Sequence, residues 1–118
     1  MSKMQNYLLA ASKRKPIQEI IKRFMSKVRV SPGGCWEWTG TRDKVRLKNY
    51  GRFGLFDGTV HMVRTHRLSW IMFRGDPGEK HVLHRCDNPP CVNPSHLFLG
   101  TDQDNVDDAR SKNRLSGN

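Results

Sequence analysis

Between residues 84 and 105 the chain reads His84-Arg-Cys86-Asp-Asn-Pro-Pro-Cys91-Val-Asn93-Pro-Ser-His96-Leu-Phe-Leu-Gly-Thr-Asp-Gln-Asp-Asn105. Cys86 and Cys91 are five apart, and His96 lies five further on. Thiolate and imidazole are preferred ligands of Zn²⁺, and a structural zinc site takes four of them in a tetrahedron. This run supplies three. Cys35, the remaining cysteine, follows a Gly-Gly turn at the mouth of a short strand and completes the set by elimination. Cys35, Cys86, Cys91 and His96 are therefore expected to form one closed structural site that pins the N-terminal half to the C-terminal loop. With four positions filled, none is left for a substrate. Reading the cysteines as small buried hydrophobes accounts for each residue singly, but not for the spacing of the set.

His84 follows a strand, Asn93 sits in a loop, and Asn105 opens a helix. Strand, loop, strand and helix in this order resemble the ββα-metal nuclease motif, also called HNH. The offsets +2, +7, +12 and +21 from His84 give Cys86, Cys91, His96 and Asn105. That register resembles the His-Cys box subclass of homing endonucleases. The wider stretch, from Cys35-Trp-Glu-Trp-Thr-Gly to Asp104-Asn-Val-Asp-Asp, looks like the small HNH endonucleases of phages and mobile elements. The resemblance covers about residues 20–113.

The resemblance implies a division of labour. His84 is the general base that takes a proton from the attacking water, a role suited to a group that titrates near neutrality. Asn105 holds one Mg²⁺ through its side-chain oxygen, and the ion neutralises charge on the phosphate and the leaving 3′ oxygen. A hard oxygen ligand suits Mg²⁺ while the soft thiolate set suits Zn²⁺, so the two sites sort their metals. Asn93 pins the loop by hydrogen bonds to the backbone and so orients His84. Two positions depart from the wider family. Leu83 stands where many members carry an acidic or histidine metal ligand, and the third letter of the motif is Asn105 rather than His. A cation beside the scissile phosphate is also implied. Arg64 and Arg67 are the chemical candidates, although aligning the hairpin turns puts His61 at the family's arginine position.

These groups need a scaffold. Ile17, Ile20, Ile21, Phe24 and Val28 follow a helical period after Pro16, and Ser31-Pro-Gly-Gly34 is expected to end that helix. Residues 35–39 read as a short strand. Tyr50 to Phe56 and Thr59 to Thr65 read as a hairpin turned by Asp57-Gly58. A helix over 66–74, short strands over 80–85 and 97–99, and a capped helix from Thr101 to about Lys112 complete an α+β fold. Residues 1–15 are expected as a basic flexible arm, 16–113 as the nuclease domain and 114–118 as a polar tail.

Composition agrees with this. The chain has 118 residues and a net charge of +10, and only 36% of it is hydrophobic. A chain so short of apolar area gains from a structural metal. Its charge favours a polyanion, double-stranded DNA first. Arg42, Lys44, Arg46, Lys48 and Arg52, with His61, are the candidate DNA contacts. Mostly these would be phosphate contacts that give affinity without sequence. No apolar run is long enough to cross a membrane, and the N-terminus is a poor signal peptide, so a cytoplasmic protein is expected. Three readings compete: a metal-dependent DNA endonuclease, a zinc-stabilised DNA-binding module without chemistry, and an RNA-binding or RNA-cleaving zinc protein. His84 and Asn105 favour the first, because a mere binder needs neither. The scarcity of clustered aromatics disfavours the third. A monomer would nick one strand and a homodimer could cut both; the sequence leaves that choice open.

Overall fold

The computed structural model describes residues 3–43 and 49–101. Lys44, Arg46, Lys48, Asn105 and the expected C-terminal helix lie outside the described residues. The described residues form a small α+β fold of three α-helices and three antiparallel strand pairs.

The N-terminal arm is the first correction. Lys3–Ser12 forms helix α1. Met4, Tyr7, Leu8 and Ala11 fall at i, i+3, i+4 and i+7, a period masked by the basic residues around it. Leu8 and Ala11 are buried, and Met4 and Tyr7 pack on the same core. Helix α2, Ile17–Met25, follows Pro16 and buries Ile20 and Phe24. It ends earlier than its apolar period suggests. Ser26 turns its hydroxyl back onto the Arg23 carbonyl at 2.6 Å. Such local bonding competes with helix propagation. Val28 then opens strand β1, Val28–Val30, which pairs with β2, Trp36–Trp38. Ser31-Pro-Gly-Gly34 is thus the turn of a hairpin rather than the end of a helix; Gly34 has a φ of +89°, a conformation that favours glycine.

Strands β3, Arg52–Phe56, and β4, Val60–Arg64, form the expected hairpin, with Arg52 opposite Arg64 and Phe56 opposite Val60. Gly58 supplies the positive φ of its turn, +114°, and Asp57 accepts a hydrogen bond from the Thr59 amide at 3.1 Å. Helix α3, Thr65–Phe73, follows without a gap and buries Thr65, His66, Leu68, Ser69 and Ile71. Strand β5, His81–His84, pairs with β6, Leu97–Gly100, placing His84 opposite Leu97.

The core is aromatic at its centre. Phe24, Trp38 and Phe53 meet with ring centroids 4.9 to 5.7 Å apart. Gly51 lies so close to Trp38 and Thr65 that any side chain there would collide with both. Strand β2 is also stitched to the C-terminal loop. The Trp38 amide donates to Pro90 at 3.0 Å, and the Val92 amide donates to Trp36 at 2.8 Å. Those two bonds fix the distance between Cys35 and the other cysteines. No helix among the described residues is long and apolar enough to cross a membrane.

Candidate metal centre and active site

Two hairpins and one loop converge on the sulfur cluster. Cys35 sits at the end of the β1–β2 turn, Cys86 follows β5, Cys91 lies in the loop, and His96 ends a single 3-10 turn, Pro94–His96. The four ligand atoms lie within 4.8 Å of one another. His96 Nδ1 is 3.5 Å from Cys35 Sγ and 3.6 Å from Cys91 Sγ. A tetrahedral zinc with bonds of about 2.3 Å to sulfur and about 2.0 Å to nitrogen puts those atoms about 3.6 Å apart. The spacing and the donor chemistry therefore fit a metal such as zinc. Among the described residues no other group of three or more metal-ligating side chains comes together. Burial pushes the Cys91 thiol up to about 12, and burial also raises that of Cys86. Without a cation these sulfurs stay protonated; a bound metal would displace those protons.

Asn93 locks this arrangement. Its amide donates to the Gly34 carbonyl at 2.8 Å and its oxygen accepts from the Ser95 amide at 2.9 Å. It ties the ligand loop to the turn that presents Cys35. The sequence placed it as the residue that orients His84. In the structure the Cys91 carbonyl, in the loop that Asn93 ties down, lies 2.9 Å from His84 Nε2. A carbonyl only accepts, so Nε2 is the donor in this bond.

His84 is buried, 6% exposed, against two rings. Its ring lies 4.9 Å from His66 and 5.9 Å from Tyr50, and Tyr50 stacks on His66 at 4.8 Å. Burial holds His66 well below the ordinary histidine range, with the charges of His84, Arg64 and Arg67 adding to the effect. His66 is therefore neutral at physiological pH. Its Nδ1 is buried without a hydrogen-bond partner in the structure. Neither Tyr50 nor His66 stood out in the sequence: one opens a strand, the other a helix. Only their position beside His84 gives them meaning. Leu83, where many relatives of the motif carry a ligand, is 9% exposed and lies opposite Phe98 on β6.

The cations separate into different jobs. Arg64 lies over the Tyr50 ring at 4.8 Å, with Asp43 3.8 Å from its guanidinium. Asp43 also pairs with Arg52 at 3.2 Å. Arg67 instead donates to the Lys80 and Gly78 carbonyls, both at 2.8 Å. It braces the turn that leads into β5. Arg67→Ala is expected to lower unfolding free energy by about 1–3 kcal/mol in denaturant titration, since two carbonyls lose a charged donor. Wild-type stability together with a large loss of cleavage would instead make Arg67 a phosphate ligand. Arg42 donates twice to the Trp38 carbonyl, at 2.9 and 2.6 Å. His61 is held by Asp57 at 3.0 Å and stacks on Tyr7 at 3.9 Å. Of the expected DNA contacts that are described, Arg42, Arg52 and His61 are thus each engaged within the fold. A cavity of about 600 Å³ between α1 and β4 is lined by Lys3, Arg52, Arg64 and Arg67 among others. Arg64, which lies over Tyr50, is part of its lining, and so is one carboxylate, Glu79.

Residues 63–107 match the family of HNH endonucleases. Protein 2.8 of Escherichia phage T7 is 36% identical over 96 residues, which cover 81% of this chain and 63% of that protein. Protein 7.7 of the same phage is 41% identical over 81 residues, covering 68% of this chain and 58% of that protein. The chain thus spans about three-fifths of the length of these curated relatives. No solved structure matches it. The matched segment holds His84 and three of the four clustered ligands, so the likeness to HNH endonucleases falls on the residues of this site.

Proposed function

We propose that the protein is a metal-dependent endonuclease that hydrolyses a phosphodiester bond in duplex DNA, with His84 as its general base. The observation that carries this reading is the bond from His84 Nε2 to the Cys91 carbonyl. In a neutral imidazole this bond keeps the proton on Nε2 and leaves Nδ1 as the basic nitrogen, and its acceptor belongs to the residue that also presents a sulfur to the cluster. In this reading Nδ1 takes a proton from water as the water oxygen attacks phosphorus. The bond from phosphorus to the 3′ oxygen breaks, and that oxygen leaves and is protonated from solvent. Arg64, propped on Tyr50 and steadied by Asp43, lends positive charge to the phosphate. Asn105 would hold the catalytic Mg²⁺, which supplies charge neutralisation at the scissile phosphate when bound. Zinc at Cys35, Cys86, Cys91 and His96 would serve the fold alone, with no open position for water.

The cationic cavity between α1 and β4 supports a nucleic-acid backbone as the ligand. Supercoiled plasmid with Mg²⁺ tests the reading. Open-circle product is expected from a monomer nicking one strand, and linear product from paired copies. Protein that retards the plasmid in a gel yet never cuts it, with Mg²⁺ or Mn²⁺, would leave a zinc-stabilised binding module as the function.

A further inference from the structure

A second cationic surface lies away from His84. Helices α1 and α2 and strand β3 enclose a groove of about 720 Å³ whose lining includes Arg14, Lys15, Lys22 and Arg23 against one carboxylate, Glu19. Elsewhere Arg29 pairs with Glu37, and Arg52 and Arg64 share the single carboxylate of Asp43. The four groove cations have no carboxylate partner among the described residues. Two of them are also held in place. Arg14 lies over the Phe56 ring at 5.3 Å, and Arg23 lies over Phe53 at 4.1 Å while donating to the Gly54 carbonyl. Phe56, half-exposed, forms part of the groove wall. Arginines braced on rings lose less freedom on meeting an anion than solvated ones.

The groove also has a definite relation to the base. Tyr50 stands beside His84 two residues before β3, and Phe56 ends that strand. Six residues of extended chain span about 20 Å. Duplex DNA rises about 3.4 Å per base pair on each strand, so that span corresponds to about six base pairs.

We propose that the α1–α2 groove binds the phosphate backbone of the duplex about half a helical turn from the bond that is cut. This rests on the nuclease reading for the position of the cut, but the contact itself is one of binding. Arg14, Lys15, Lys22 and Arg23 meet phosphate oxygens, and no base is read there. The groove gives affinity that is independent of sequence and sensitive to salt.

The test measures equilibrium binding of the full chain to a 30-base-pair duplex of mixed sequence, without added divalent ion, over a salt series. Lys15→Glu/Lys22→Glu reverses two exposed groove charges. Arg29→Glu/Arg74→Glu, two exposed cations elsewhere, matches it in charge. The groove variant is expected to bind at least about tenfold more weakly, with the salt slope reduced by about 2, one for each phosphate no longer neutralised. The matched variant should stay close to wild type. Equal weakening in both variants would overturn the groove and leave only net charge; so would wild-type affinity in the groove variant. Loss of single-stranded RNA binding with duplex binding intact would also overturn it. Should Lys15→Glu/Lys22→Glu melt early, Lys15→Gln/Lys22→Gln must show the same change at smaller size. A wild type that binds but never cuts, alongside a weakened groove variant, sinks the nuclease reading and keeps the groove. A wild type that cuts, alongside an unweakened groove variant, does the reverse.

Discussion

His84→Ala is expected to cleave plasmid about 10²–10⁴-fold more slowly than wild type, the range a positioned general base contributes. Metal content and duplex binding should be unchanged. The reasoning is local. His84 meets the metal loop at the Cys91 carbonyl, and among the described residues it is not one of the clustered ligands. Removing the imidazole does open space beside Tyr50 and His66, so some thermal stability will be lost. His84→Gln fills more of that space without a base of useful basicity, and it should be equally inactive. Turnover of either variant at the wild-type rate would show that His84 packs the site rather than works in it.

Cys91→Ser is expected to yield a chain that binds no zinc and does not fold cooperatively. Structural zinc sites contribute about 10–16 kcal/mol of apparent binding energy in small peptides. That matches or exceeds the whole stability of a typical domain, about 5–15 kcal/mol. Cys91 is fully buried beside Cys35 and His96, so a serine hydroxyl there is both a poor ligand and a buried polar group. Chelation of the wild-type protein should reproduce the effect, which separates metal loss from packing damage. A normal melting curve for Cys91→Ser, with or without chelator, would remove the structural role of the metal. Circular dichroism with elemental analysis reads both.

Much of the site was legible because it is local. Cys86, Cys91, His96 and His84 lie within one short run, and spacing alone groups them. The β3–β4 hairpin was legible for the same reason: Asp57-Gly58 marks its turn and the alternation around it marks its faces. Cys35 was reached by elimination, and the structure brings it to the cluster across 61 residues from His96. What escaped is non-local or conditional. The α1 period was present, but four basic residues around it suggested a solvated arm. Val28 continued the helical period of α2, and only its pairing with Trp38 in β1 diverts it. The duties of Arg42 and Arg67 could not be read at all. An arginine that braces carbonyls and one that meets phosphate are the same letter, and only the partner tells them apart. The same holds for His66, whose meaning comes from Tyr50 and His84 around it.

The family-matched segment, residues 63–107, contains His84, Cys86, Cys91 and His96 but not Cys35, Phe24, Trp38 or Phe53. Strand β2 reaches into it through Trp36 and Trp38, bonded to Val92 and Pro90. The unit of recognisable ancestry is therefore smaller than the unit that folds. Cut out and grafted onto another protein, the segment would arrive with an incomplete coordination sphere and no floor beneath its loop. Transfer of the site to another protein would have to carry the preceding helix and first hairpin along with it, so the site is constrained by architecture that its own motif does not spell.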